Sequence, residues 1–222
     1  MPVMLPLLPV ANLGRDASIL KSITEPNAYL ALWHRLIPDH VADWIASWHR
    51  KINLELDALV SVEETRLMTA RALIDAGCRG QTEIGWLCDD IERLAVIFST
   101  ITGELRLRVR LETVRDDGCS KFHVDTLKLR LLCTYAGPGT QWIPAGQARR
   151  DYLGWIEGST EEANARIAPD PQAVQTMATG AVAVFKGRLY PGFEGQGLVH
   201  RSAPVCCEKE YRLRLCLDLP RD

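Results

Sequence analysis

The residues best suited to chemistry are His123 and Asp125, in the run Phe122-His123-Val124-Asp125 that follows a turn. On an extended strand, residues two apart project from one face, so the imidazole and the carboxylate point together. That pair supplies two members of a 2-His-1-carboxylate facial triad, the donor set that holds iron(II) and leaves coordination positions open. The third ligand must come from elsewhere. The chain has five histidines. His34, His40 and His49 lie among tryptophans and helix signals, whereas His200 falls on a strand candidate in the same half of the chain as the pair. His200 is therefore the natural third ligand. Each histidine also has an ordinary reading: His123 as a surface-turn residue, His200 as a partly buried, hydrogen-bonded one. Arg212 and Arg214 follow His200 on a final alternating strand. Their guanidinium forks match a carboxylate bidentately.

The elements that must position these residues divide the chain into unlike parts. Residues 1–103 read as mainly helical. Pro38 and Asp39 form a helix start, and Val41, Trp44, Ile45 and Trp48 make one apolar stripe. A second helix is predicted over Glu63–Ala76, stopping at Gly77. A third is predicted over Thr82–Thr100, with Ile84, Leu87, Cys88, Ile91, Leu94, Ala95 and Phe98 on one face. Tyr29–Trp33 is compatible with a strand or a helix. Residues 104–222 are β-rich. Glu104–Glu112 alternates strictly, Asp116-Asp117-Gly118 marks a turn, and further strands are predicted over Lys128–Tyr135, Ala181–Phe185, Leu198–Ser202 and Tyr211–Leu219. The expected fold is α+β: many short strands separated by turns predict a β-sandwich, barrel or jelly roll, with the N-terminal helices packed on one sheet. At 222 residues the chain is expected to be a single domain. The parity of the last strand matters. Arg212, Arg214, Cys216 and Asp218 share one face, and the opposite face is wholly apolar. If helices cover the apolar face, the arginines look into the barrel; if the apolar face lines the barrel, they are solvent-exposed.

The order His-x-Asp, distal His, then a basic residue on the following strand resembles the iron(II)/2-oxoglutarate-dependent oxygenases, which are double-stranded β-helix proteins. The resemblance implies that His123, Asp125 and His200 bind iron and that Arg212 or Arg214 pairs with the far carboxylate of 2-oxoglutarate. The interval from His200 to these arginines is slightly longer than that family's usual one. A closer resemblance lies in longer phrases: CSKFHVD (Cys119–Asp125), RLLCTYAGPGTQW (Arg130–Trp142), VAVFKG (Val182–Gly187) and LVHRSAP (Leu198–Pro204). These resemble the bacterial domain of unknown function 1826 family over most of the chain. Members of that family occur among genes of zinc-limitation responses, which implies a metal-linked role, and zinc is the alternative metal for the same three ligands in a cupin-like protein of metal homeostasis.

Composition narrows the rest. Hydrophobic residues make up 47% and charged residues 24%, which excludes a disordered or collagen-like chain. The net charge of −2 disfavours a charge-driven nucleic-acid partner. The apolar start MPVMLPLLPVANLG is too short and proline-interrupted for a membrane span and lacks a basic leader. A small-molecule substrate and a cytoplasmic location are the expectations. Seven cysteines, with Cys206 and Cys207 adjacent, read as free thiols in a reducing compartment. Cys119, Cys206 and Cys207 lie near proposed ligands and could bias the site toward zinc. Tyr135, Trp142 and Arg130 are candidates for a substrate pocket. Gly137-Pro138-Gly139-Thr140 lacks the features of a phosphate loop and reads as a tight turn. Glu161–Ala173 reads as a lid or a long loop.

Overall fold

The computed structural model describes residues 9–115, 119–155, 157–204 and 211–220. In chain order the strands are β1 (Val10–Gly14), β2 (Ala28–Trp33), β3 (Glu55–Ser61), β4 (Arg106–Val114), β5 (Leu129–Ala136), β6 (Gln141–Ile143), β7 (Gln175–Thr176), β8 (Val182–Lys186), β9 (Val199–Arg201) and β10 (Arg212–Asp218). The helices are α1 (Asp39–Trp48), α2 (Thr65–Asp75), α3 (Gln81–Thr102) and α4 (Thr160–Ile167).

Two sheets face each other. The larger runs β1-β2-β8-β5-β10-β4-β3, and the smaller runs β7-β6-β9. His123 extends the smaller sheet by an antiparallel bridge to His200 in β9, through backbone bonds of 2.9 and 3.0 Å. Count the segments from β4 onward as one to eight: β4, the His123 segment, β5, β6, β7, β8, β9, β10. The larger sheet then carries the order 1-8-3-6 and the smaller 2-7-4-5. This is a double-stranded β-helix, closed by alternation of the chain between two sheets.

The helices pack where the sequence pattern requires. The apolar stripe of α3, from Leu87 to Phe98, is fully buried with Val41 and Ile45 of α1 against Leu107, Leu131, Val184 and Leu215. Gly103 ends α3 in the left-handed conformation (φ 77°), its N–H bonded to the Ser99 carbonyl. The helical layer thus covers the outer face of the large sheet, and Leu213, Leu215 and Leu217 of β10 point into it. By the two-residue period Arg212, Arg214, Cys216 and Asp218 face the barrel interior. Cys216 sits there with Leu132, Phe185, Trp142 and Leu198.

The N-terminal part carries α1, α2 and α3, and alongside them it adds strands. It supplies β1, β2 and β3 to the large sheet, with β2 paired to β8 and β3 paired to β4. Tyr29–Trp33 lies within β2, a strand buried on both faces, which erases the alternation that would have announced it.

α4 falls within the segment read as a lid or loop. It opens with a Ser159–Glu162 capping box and packs Ile167 against Phe122, Val124 and Val199 on the outside of the small sheet. Among the described residues no helix is long and apolar enough to cross a membrane.

Candidate metal centre

His123 and Asp125 are held by three neighbours. Asn164 of α4 accepts the Phe122 N–H at 2.8 Å and donates to the Ser120 carbonyl at 2.9 Å. The bridge to β9 fixes His123 against His200. The loop after Asp125 is pinned to the segment after β8: Gly187 N–H donates to the Lys128 carbonyl at 3.0 Å, Arg188 to Asp125 at 2.9 Å and Leu189 to Leu127 at 3.1 Å. Gly187 permits this approach, since a Cβ there would stand 2.3 Å from the Leu127 oxygen and 2.7 Å from the Asp125 oxygen. Gly187→Ala is therefore expected to push the Asp125 loop outward. Overpacking of this kind costs about 1–3 kcal/mol in stability. The variant should also weaken metal binding by roughly tenfold or more, as changes just behind metal ligands do. Denaturant melts and a chelator competition check the two effects.

The three proposed ligands converge. One ligand atom from each of His123, Asp125 and His200 lies within 4.8 Å of the other two. His123 Nε2 is 3.5 Å from Asp125 Oδ1, and His200 Nε2 is 3.4 Å from Asp125 Oδ2. Each imidazole is turned by a backbone carbonyl two residues earlier: Nδ1 of His123 meets the Lys121 oxygen at 2.8 Å, and Nδ1 of His200 the Leu198 oxygen at 3.1 Å. A carbonyl only accepts, so Nδ1 carries a hydrogen; Nε2 then faces Asp125, where it donates when the ring is protonated and is free to bind a metal when the ring is neutral. Ligands about 2.1 Å from one ion stand about 3 Å apart when adjacent, so the donor set fits a single ion with little movement.

The surroundings favour an ionised carboxylate. Burial opposes the charge of Asp125, but hydrogen bonds from His123 and His200 and the Arg130 guanidinium outweigh it and hold the carboxyl far below its usual range. Burial likewise opposes the His123 cation, and the Asp125 hydrogen bond reverses this, so its pKa is raised. His200 is 5% exposed, with the Phe185 ring 4.9 Å away. Trp142 is its cross-strand partner in β6 and lines the same interior.

The two arginines of β10 part company. Arg212 is 1% exposed and donates from Nη2 to Ser202 Oγ at 2.8 Å. Ser202 is two residues beyond His200, so their Cα atoms are no more than about 7 Å apart. Arg214 donates to Glu112 of β4 at 2.5 Å. Arg130 pairs with Asp125 and Asp218 on the wall of a cavity of about 490 Å³ that also touches Arg108, Leu127 and Leu219.

Tyr135 requires correction. It belongs to the outer face of β5, buried under the helices, and its hydroxyl donates to Asp90 of α3 at 2.7 Å. The period-two pattern of β5 carried that signal, because Tyr135 shares parity with Leu129, Leu131 and Cys133. Asp218 shares the polar face of β10 with Arg212 and Arg214; its pairing with Arg130 depends on a cross-strand register that sequence spacing does not reveal.

Cys119 is exposed and free, and the metal-ligating cluster among the described residues does not include it. Cys206 and Cys207 lie outside the described residues. Cys78, Cys88, Cys133 and Cys216 are buried free thiols. Burial pushes the first two up to about 11 and Cys133 up to about 12, as inert packing residues require.

The sequence profile of the family described as protein of unknown function (DUF1826) matches residues 14–218. The chain belongs to this family. No curated protein matches it. Solved structures similar to this DUF1826 protein include a Pseudomonas putida prolyl-4-hydroxylase, at 11% identity and TM-score 0.43, covering 93% of this chain and 98% of that one. Another is the dioxygenase for auxin oxidation 1 from Arabidopsis thaliana in its 2-oxoglutarate complex, at 7% identity and TM-score 0.48, covering 96% and 92%.

Proposed function

We propose that this DUF1826 protein is an iron(II)- and 2-oxoglutarate-dependent oxygenase acting on a small molecule. The observation that carries the reading is the convergence of His123, Asp125 and His200, with both Nε2 atoms turned toward one carboxylate. Two neutral imidazoles and one carboxylate fill three positions of an iron(II) ion and leave the others for cosubstrate. Iron(II) with 2-oxoglutarate supplies the oxidising chemistry that no side chain provides. The chain supplies position, charge and a dry surround. Arg212 is the residue assigned to the far carboxylate, because it is buried inside the barrel one short step from His200. Arg214 is assigned no such role, since Glu112 already answers its charge. Trp142 and Phe185 exclude water from the His200 side. The free state of the five described cysteines supports a reducing, cytoplasmic setting.

Aerobic incubation with iron(II) and 2-oxoglutarate should release succinate through slow uncoupled turnover. Absence of succinate together with absence of 2-oxoglutarate binding would overturn the assignment. One equivalent of zinc held in preference to iron, with no 2-oxoglutarate binding, would transfer the same three ligands to a zinc-binding role.

Arg212→Met should weaken 2-oxoglutarate binding while metal binding persists. A charge-assisted hydrogen bond contributes about 1.5–3 kcal/mol, so the dissociation constant should rise about 10- to 100-fold. Arg214→Met should change it little. Calorimetric titration of both variants separates the two arginines.

A further inference from the structure

We infer that Arg130 is the positioning residue of the metal centre, aiming the Asp125 carboxylate at the ion. The inference rests on the metal-centre reading and assigns a role to a residue outside the three ligands. Asp125 is on irregular chain between the His123 bridge and β5; its backbone carbonyl is held by the Arg188 N–H, which leaves the carboxylate to be oriented by side chains. Arg130 belongs to the middle of the large sheet. Its Nη1 donates to Asp125 Oδ2 at 2.6 Å. The same guanidinium grips Asp218 of β10 with its other edge, Nε to Oδ1 at 2.6 Å and Nη2 to Oδ2 at 2.9 Å. Asp218 in turn accepts from Arg110 of β4 at 2.9 Å. Asp218 and Arg130 are cross-strand partners in register, so the chain of contacts runs through three adjacent strands, β4, β10 and β5.

A salt bridge serving the fold alone needs only the Arg130–Asp218 fork, which already uses both Asp218 oxygens. The third contact reaches out of the sheet to the proposed ligand. It occupies a lone pair of Oδ2 and leaves Oδ1, which faces His123, as the less encumbered donor. Asp125 is thereby disposed to bind through one oxygen. Conserving open positions on the ion depends on that restraint, because a bidentate carboxylate would take one of them.

The test uses the full chain carrying Arg130→Gln, Arg130→Lys or Asp218→Asn. Affinity for iron(II) and cobalt(II) is measured anaerobically by calorimetry, the cobalt ligand-field spectrum is recorded, and metal-free protein is melted. Arg130→Gln should weaken metal binding about 10- to 100-fold, the usual effect of removing a residue that orients a ligand, and should alter the cobalt spectrum. Arg130→Lys should recover part of the affinity, since it keeps a charged donor for Asp125, and Asp218→Asn should cause a smaller loss in the same direction. If Arg130→Gln does not fold, Arg130→Lys and Asp218→Asn decide by the same readouts. Unchanged affinity and spectrum, with only a lowered melting temperature, would overturn this inference alone. Wild-type protein that takes up no metal would overturn the metal-centre reading and this inference with it.

Discussion

Alanine at His200 should abolish metal uptake: wild-type protein purified anaerobically and titrated with iron(II) is expected to take one equivalent, and His200→Ala none. The cluster has three donors, and His200 supplies one of its two nitrogens. Its Nε2 is fixed by the Leu198 carbonyl behind it and by the Phe185 ring beside it, so no neighbouring imidazole can swing into its place. The remaining His123 and Asp125 form a two-point site open to water, which holds first-row divalent ions weakly. The backbone bridge between residues 123 and 200 survives the substitution, so the fold is retained. His40 is exposed on α1, and His40→Ala serves as the control that leaves uptake at one equivalent. Elemental analysis alongside calorimetry checks both. Uptake that persists in the His123→Ala, His200→Ala double variant would remove these residues from the site.

The second large effect is on stability. Asp90 of α3 and Arg35 form a buried pair at 2.5 Å, with side chains 2% and 8% exposed. Asp90 also accepts the Tyr135 hydroxyl, and Arg35 donates from Nε to the Gly180 carbonyl at 2.9 Å. The cluster lies between the helical layer and the large sheet. Asp90→Ala strands the guanidinium and the phenol together. Removing one partner of a buried pair costs about 3–5 kcal/mol, which lowers the melting temperature of a chain this long by roughly 10 °C. Denaturant unfolding should show the midpoint falling at unchanged slope. The pH dependence has a definite sign. Burial opposes the Asp90 charge, yet the Arg35 and Tyr135 hydrogen bonds outweigh it and lower the pKa. A lowered carboxyl pKa contributes stability that is present above its unfolded value, about 3.9, and is lost as pH falls through the lower folded value. The wild-type chain should therefore lose stability below about pH 4 more steeply than Asp90→Asn.

How much of this was legible in the sequence follows from which signals are local. The long stripe of α3 and the alternation of β4 announce their types because one face of each is more buried than the other, and β10 does so because apolar residues under the helices alternate with mostly polar ones on the barrel side. β10 is the telling case. Its two faces were readable as charged and apolar, but which one met the helices depended on the layer above, and only the structure shows Leu213, Leu215 and Leu217 under α3. β2 was ambiguous because both its faces are buried. β6 and β7 are three and two residues long, too short for any period to show. At the site, His123, Asp125 and His200 were found from residue type, since few side chains bind metals and the chain has few histidines. Arg130 was singled out without its partners, because Asp218 meets it from a neighbouring strand and Asp125 from irregular chain. Tyr135 was misplaced for the opposite reason: proximity to a turn outweighed a parity that already put it with Leu131 and Cys133.

The most direct measurement is a calorimetric titration of 2-oxoglutarate into anaerobic protein, once loaded with iron(II) and once metal-free. One site that appears only with metal, and is lost in His200→Ala and weakened in Arg212→Met, is the predicted result. No binding to the loaded protein, or equal binding with and without metal, would contradict it.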